Sequence, residues 1–344
     1  MKRISKEDLL HIYHHTEDVW ENFRNKNIFL TGATGFFGKW LLESFIYINN
    51  KLSLNAELCA LSRNPEAFLK LYPFYEQENS VNFIKGDIQT FKFPEQNFNF
   101  IIHAATDADA TLNQDNPLYM MDTITIGTRR ILDFAKQQKK FESFLFVSSG
   151  AVYGKQPSHV SHIKESDSFN IDINNPLSAY AEGKRVAELY CSTYFQKFGI
   201  PVKIARCFAF VGPYLPLDKH FAVGNFILNA INGEDIIIKG DGTTYRSYLY
   251  AADLAIWLWT ILLQGKNNQP YNVGSENSLS IEGIAKSVIK LVEHAEVKVM
   301  ILTKAEKPER YIPDCSLASS TLELRELISL YHAIEKTYNF YKVV

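Results

Sequence analysis

The chain has 344 residues, 46% hydrophobic and 22% charged with a formal net charge of −2, which suits one large α/β domain with an appended lobe, or two domains, and offers no basic field to hold nucleic acid. No apolar run reaches the roughly 20 residues needed to cross a bilayer, so no membrane partner is expected. The N-terminus, MKRISKEDLLHIYHH, lacks the apolar core of a signal peptide, and Cys59, Cys191, Cys207 and Cys315 follow no metal or disulfide spacing; a cytoplasmic protein with reduced thiols and no metal is expected.

Residues 4–24 set Leu9, Leu10, Ile12, Tyr13, Trp20 and Phe23 among charged neighbours, a pattern that predicts an amphipathic helix within an N-terminal extension, 1–26. His11, His14 and His15 fall at metal-ligand spacing, but no carboxylate or cysteine motif stands beside them, and they read as a solvated helix face.

From Asn27 onward short apolar runs alternate with helical patterns. Strands are predicted at Asn27–Thr31, Glu57–Ser62, Val81–Lys85, Phe100–Ala104, Phe144–Ser148 and Val202–Arg206, with helices at Gly38–Asn49, Thr125–Lys136 and Ala181–Phe198. Such alternation implies right-handed crossovers and a doubly wound parallel sheet covered on both faces, a Rossmann-type α/β domain over 27–212. After Gly212-Pro213 the pattern changes to a smaller lobe, 213–344. Its helices are predicted at Val223–Asn232, Ala252–Gln264 and Ile281–Ala295, and its strands at Asp235–Lys239 and Tyr271–Val273. With no long linker, the lobes are expected to pack closely and to hold a substrate in the cleft between them.

The first strand runs directly into Gly32-Ala33-Thr34-Gly35-Phe36-Phe37-Gly38, which opens a helix. Gly32 permits a tight turn, Gly35 close approach of a pyrophosphate, and Gly38 close helix packing, with the N–H groups of the helix start facing the phosphates. At the end of the second strand an acidic residue would accept the ribose hydroxyls of NAD, whereas this chain has Leu61-Ser62-Arg63-Asn64. The guanidinium of Arg63 suits the 2′-phosphate of NADP, so NADP is favoured and NAD is the alternative.

Tyr180 and Lys184 stand four apart at a helix start and so share one face. A tyrosine, with an ordinary pKa of about 10, is a poor base at neutral pH; a neighbouring ammonium favours the phenolate and makes proton transfer feasible. Ser149, at the end of the strand Phe144–Ser148, can bond the same substrate oxygen.

These motifs, with Gly86-Asp87-Ile88, His103-Ala104-Ala105, Ser148-Ser149-Gly-Ala-Val-Tyr-Gly154, Gly240-Asp241-Gly242, Arg246-Ser-Tyr-Leu-Tyr250 and Tyr271-Asn272-Val273-Gly274 in order, resemble the extended short-chain dehydrogenase/reductases, and within them the NAD-dependent epimerase/dehydratase family of nucleotide-sugar enzymes. The resemblance runs from about Asn27 to Asp314. It implies that Asp87 and Ile88 lie at the adenine, Ala104 and Ala105 beside the nicotinamide ribose, Tyr180 as base, Lys184 as ribose anchor, and Ser149 at the sugar oxygen. Arg246 would grip the nucleotide diphosphate, with Lys219, Asn225 and Asn272 as weaker candidates for that pocket. A homodimer formed through two helices per subunit is also implied.

The chain departs from the family at three places. Arg206-Cys-Phe-Ala209 lacks the usual asparagine, Ile124 precedes Gly127-Thr128 where an asparagine is common, and Gly150-Ala151 replaces the acidic residues of the 4,6-dehydratases and the glutamate of the sugar-acid decarboxylases. Neither Gly150 nor Ala151 transfers a proton. The expected activity is therefore epimerisation of a nucleotide-diphosphate sugar, at C4 through a 4-keto sugar. The alternatives are an NADPH-dependent 4-keto-sugar reductase and, ranked below it, a 4,6-dehydratase or decarboxylase, or a non-catalytic dinucleotide-binding protein.

Overall fold

In the computed structural model, which describes residues 2–106, 110–219, 221–292 and 295–342, the chain opens on α1 (Lys6–His14), where the Ser5 hydroxyl accepts from the Asp8 N–H. The single helix expected over 4–24 ends early. Thr16 turns its hydroxyl back to the Ile12 carbonyl at 2.6 Å, and the chain resumes as a short 3-10 turn at Trp20–Phe23. Both aromatic rings of that turn are buried, 5.0 and 5.3 Å from Trp259. No group of three metal-ligating side chains forms among the described residues, and His14 and His15 bond Glu17 and the His11 carbonyl instead.

β1 (Asn27–Thr31), α2 (Phe36–Leu52), β2 (Glu57–Ser62), α3 (Pro65–Leu71), β3 (Val81–Lys85), β4 (Phe100–His103), α4 (Ala110–Asp115), α5 (Pro117–Lys136), β5 (Ser143–Ser149), α6 (Ala179–Phe198) and β6 (Val202–Cys207) follow in alternation. β4 and β5 are buried along their whole length, as strands covered on both faces must be. α5 begins well before the expected Thr125. Asn116 caps it by accepting from the Tyr119 N–H, and Pro117 fills the first helical position, where a missing N–H costs nothing.

The rest of the chain is made of β7 (Phe210–Val211), α7 (Ala222–Asn232), β8 (Ile236–Ile238), β9 (Tyr245–Ser247), β10 (Leu249–Tyr250), α8 (Ala251–Gln264), β11 (Pro270–Val273), β12 (Ser278–Ser280), α9 (Ile281–Ile289), β13 (Val297–Val299), β14 (Arg310–Tyr311), α10 (Ser316–Leu322) and α11 (Leu330–Tyr341). The helix expected to reach Ala295 stops at Ile289, and positions 293–294 of that expectation lie outside the described residues. No helix of the described residues is long and apolar enough to cross a membrane.

Seven strands form the main sheet in the order β11-β6-β5-β4-β1-β2-β3. β1 pairs in parallel with β2 and β4, β2 with β3, and β4 with β5. The strand order reverses at β1 and β4, and in an open α/β sheet that reversal leaves a crevice beyond the carboxyl ends of the two strands.

The chain divides into two compact units, each assembled from separated stretches. One takes in Met1–Val152, Ile171–Arg206 and Ala255–Tyr271; the other takes in Tyr153–Asn170, Cys207–Leu254 and Asn272–Val344. In the first unit Trp259, from α8, donates its indole N–H to the Ser44 hydroxyl of α2 at 2.9 Å. Phe29, Phe98 and Phe134 fill the opposite side of β1 with centroids 5.1 to 5.8 Å apart.

Candidate active site

The turn leaving β1 is built by close backbone approach. Gly32 has φ of +73°, and a Cβ there would lie 2.4 Å from the Ala104 carbonyl oxygen. A Cβ on Gly38 would lie 2.3 Å from the Gly32 oxygen, so the first turn of α2 presses directly on the loop. Gly35 is the N-cap of α2, supplies no capping side chain, and is followed by no acidic residue in the first turn. The helix start, at Phe36, Phe37 and Gly38, thus offers N–H groups and a positive dipole end that Gly35 does not cap.

Opposite this loop, Thr31 and His103 end the neighbouring strands β1 and β4. The Thr31 hydroxyl accepts from the N–H groups of Ala104 and Ala105 at 3.2 and 3.1 Å, which uses both of its lone pairs. Its proton is therefore assigned to His103 Nδ1, 2.8 Å away, and His103 Nε2 donates to the Thr128 hydroxyl at 3.1 Å. Burial, and secondarily the Lys184 ammonium, push the His103 pKa down to about 3, in keeping with a neutral ring.

A cavity of about 250 Å³ lies at this point. Gly32, Thr34 and Gly35 line it together with Arg63, Asp87, Ile88, Ala104 and Ala105, so eight of the cofactor residues expected from sequence meet there. Phe36, Phe37 and Gly38 stand beside it as the opening of α2. Arg63 donates to the Tyr119 hydroxyl at 3.1 Å across the mouth. The Asp87 carboxylate accepts from the Gln89 N–H at 2.8 Å. A glycine cradle, an uncapped helix start and a carboxylate at the far end fit a dinucleotide.

Tyr180 and Lys184 lie in the first turns of α6. The Tyr180 N–H is held by the Asn113 side chain at 3.1 Å, and the Lys184 Nζ sits 6.0 Å from the Tyr180 ring centroid. The ammonium is buried. It donates to the Val147 carbonyl at 2.8 Å and to the Thr106 hydroxyl at 3.1 Å, and lies 4.9 Å from the Phe146 ring centroid. Thr106 also lines the cavity, so Lys184 reaches its rim. Ser149 closes the same strand that supplies Val147. Its oxygen accepts the Ala151 N–H at 3.1 Å, which turns the hydroxyl proton away from the backbone.

One turn further along α6, Glu188 accepts from Ser148 at 2.5 Å and pairs with Arg206 at 2.7 Å. That arrangement fixes α6 against the ends of β5 and β6.

Of the five expected substrate residues, Ser149 belongs to the first unit, and Lys219, Asn225, Arg246 and Asn272 belong to the second. Lys219 is exposed in the turn before α7, and Asn225 is half-buried in the first turn of α7. Arg246, on β9, donates to the Tyr245 carbonyl at 2.9 Å. Asn272 is fully buried, and its side chain is committed to internal bonds: the amide donates to the Ile163 and Asp314 carbonyls at 2.8 and 2.9 Å and accepts from Tyr153 at 2.6 Å.

Sequence reasoning did not single out Thr31, Thr106, Tyr119 or Glu188. Thr31 and Thr106 flank recognised motifs and were within reach; Tyr119 carried no local signal.

A sequence profile of the NAD dependent epimerase/dehydratase family matches residues 28–274. Among curated relatives, the UDP-glucuronic acid decarboxylase 1 of Xenopus tropicalis is 27% identical over 92% of this chain and 72% of its own length. The UDP-glucuronic acid decarboxylase 6 of Arabidopsis thaliana is 29% identical over 87% of this chain and 83% of its own length. The fold is shared with solved structures. These include the epimerase Mth375 of Methanothermobacter thermautotrophicus (TM-score 0.79, 22% identity, 96% of both chains). They also include the UDP-glucuronic acid 4-epimerase of Bacillus cereus in complex with UDP-glucuronic acid and NAD (TM-score 0.75, 23% identity, 91% of this chain and 98% of that one).

The buried imidazole makes stability depend on pH. Above the ordinary histidine pKa of 6.5, His103 is neutral whether the chain is folded or unfolded. Between 6.5 and about 3 the unfolded chain takes up a proton that the folded one refuses, so stability falls as pH falls, by on the order of a few kcal/mol in total. His103→Gln should flatten that decline. Urea denaturation of both proteins at neutral and mildly acidic pH measures it, and parallel slopes would remove His103 as the cause.

Proposed function

Because the chain belongs to the NAD dependent epimerase/dehydratase family, we propose that it epimerises a nucleoside-diphosphate sugar at C4 through a transient 4-keto sugar. The observation that carries this reading is the bond of Lys184, one turn from Tyr180 on α6, to Thr106 in the lining of the glycine-loop cavity, with no proton-transferring side chain at Gly150 or Ala151.

When bound, the nicotinamide cofactor supplies reversible hydride exchange with the sugar carbon. Tyr180 takes the proton of the sugar hydroxyl as that carbon is oxidised and returns it when the carbon is reduced. Lys184, held against Val147 and Thr106, provides the positive charge that favours the phenolate. Ser149 donates to the sugar oxygen and fixes its distance from Tyr180. Arg246 grips the diphosphate, a use suited to its forked donors, with Lys219 and Asn225 near the same group. Asn272 acts by holding its neighbouring loops. The named curated relatives act on UDP-glucuronic acid, which supports a uridine nucleotide as the first substrate to try. Decarboxylation is disfavoured because the family's sugar-acid decarboxylases use a glutamate where this chain has Ala151.

A second reading, reduction of a preformed 4-keto sugar by NADPH, is favoured by one feature. Arg63 lines the glycine-loop cavity, and its guanidinium suits the 2′-phosphate of NADP. In either reading the protein works as a homodimer through α5 and α6, which carry the exposed apolar side chains of Leu118, Ile126, Leu189 and Phe198.

Incubation with UDP-sugars and their 4-keto forms, followed by product analysis, should give C4 epimers with no net cofactor consumption. Stoichiometric loss of NADPH would establish the reductase instead. Tyr180→Phe should lower turnover by at least about 100-fold while cofactor affinity stays within about twofold; undiminished turnover would remove Tyr180 as the base. Arg63→Ala should weaken NADPH binding by about 10-fold and leave NADH binding unchanged, as read by fluorescence titration. An equal effect on both would dismiss the NADP preference. In light scattering the wild type should be a dimer and Ile126→Glu/Leu189→Glu a folded monomer; a dimeric double variant would exclude this surface.

A further inference from the structure

Lys184 is buried, and two of its three ammonium donors are accounted for by the Val147 carbonyl and the Thr106 hydroxyl. The two acceptors differ in kind. Any residue at 147 would present the same carbonyl, whereas the second acceptor is a side chain reaching in from the loop after β4, 78 positions earlier in the chain. The Thr106 hydroxyl gives its own proton to the Ala105 carbonyl at 2.8 Å. Toward Lys184 it can therefore present only a lone pair, so it acts as a fixed acceptor and not as a rotating hydroxyl.

We propose that Thr106 is a positioning residue for proton transfer at Tyr180, acting through Lys184 by holding the ammonium at the rim of the cofactor cavity on the side of the phenol. This inference rests on the reading of Tyr180 as the base. The family resemblance assigns nothing to Thr106.

The surroundings keep this contact electrostatically simple. His103, on β4, stays neutral, because burial and the Lys184 charge push its pKa down to about 3. Cys191, on α6, keeps its proton, since burial raises its thiol well above the ordinary value. Glu188, also on α6, is engaged by Arg206 and Ser148. Val147 and Phe146, facing from β5, bear no charge. The ammonium position is then the variable that removal of the Thr106 acceptor changes.

The test compares wild type, Thr106→Val, Thr106→Ala and Thr106→Ser, each with and without Tyr180→Phe. Ultraviolet difference titration of tyrosinate is run on the free protein and with saturating NAD⁺, so no substrate is required. Subtracting the Tyr180→Phe partner isolates the Tyr180 ionisation. It should move to higher pH by about one unit in Thr106→Val and Thr106→Ala and return to the wild-type position in Thr106→Ser. The alanine variant carries the comparison if valine disturbs folding, which circular dichroism reports. A Tyr180 titration unmoved by loss of the hydroxyl would overturn the proposal, as would a serine variant displaced as far as the valine one. A different failure, in which Tyr180→Phe removes no ionisation below that of an ordinary tyrosine, would defeat the reading of Tyr180 as base and the inference with it.

Discussion

The hydroxyl of Thr31 is the constraint on which the site depends. It ends β1 and catches the two backbone N–H groups that follow β4, so the two strands at the sheet's reversal leave in fixed directions. The glycine turn grows from one of them and the Ala104–Thr106 segment from the other. Gly32 then sits so close under the Ala104 carbonyl that no side chain fits. Because both Thr31 lone pairs are occupied, the proton order through His103 to Thr128 is also fixed, and α5 is tied to the same point. The hydrogen bonds are individually modest, about 1 kcal/mol each. Their value lies in holding the glycine loop and the Thr106 acceptor of Lys184 to one reference.

Much of this was legible in the sequence because it is local. The glycine spacing, the Tyr180–Lys184 pair and the alternation of strands and helices each involve residues within a turn or two of one another, where backbone geometry alone dictates who meets whom. What escaped is non-local. Tyr119 meets Arg63 across 56 positions and Thr106 meets Lys184 across 78. No periodicity encodes such meetings. The N-terminal helix was overdrawn for a different reason: apolar spacing continued past Thr16, whose hydroxyl competes for the helix backbone and ends it. Asn272 stands in a recognised motif, and its amide makes three bonds inside the fold that the motif alone does not reveal.

Position 151 is an alanine, where the family resemblance implies a glutamate for a sugar-acid decarboxylase. With alanine there, what the position contributes is its backbone: the N–H that orients Ser149. In the proposed function this short turn aims the Ser149 hydroxyl. The proposed epimerisation asks of the chain only what a phenol, an ammonium and a serine can do beside a hydride carrier.

The interleaving of the two units bears on how the protein is made. A ribosome delivers the strands, the glycine loop and the tyrosine helix of the first unit long before it delivers Ala255–Tyr271, which belongs to the same unit. Until that last piece emerges, Trp20, Phe23 and Ser44 lack their partner Trp259. The first unit therefore cannot be completed in order from its N-terminus; it waits for most of the polypeptide to be synthesised.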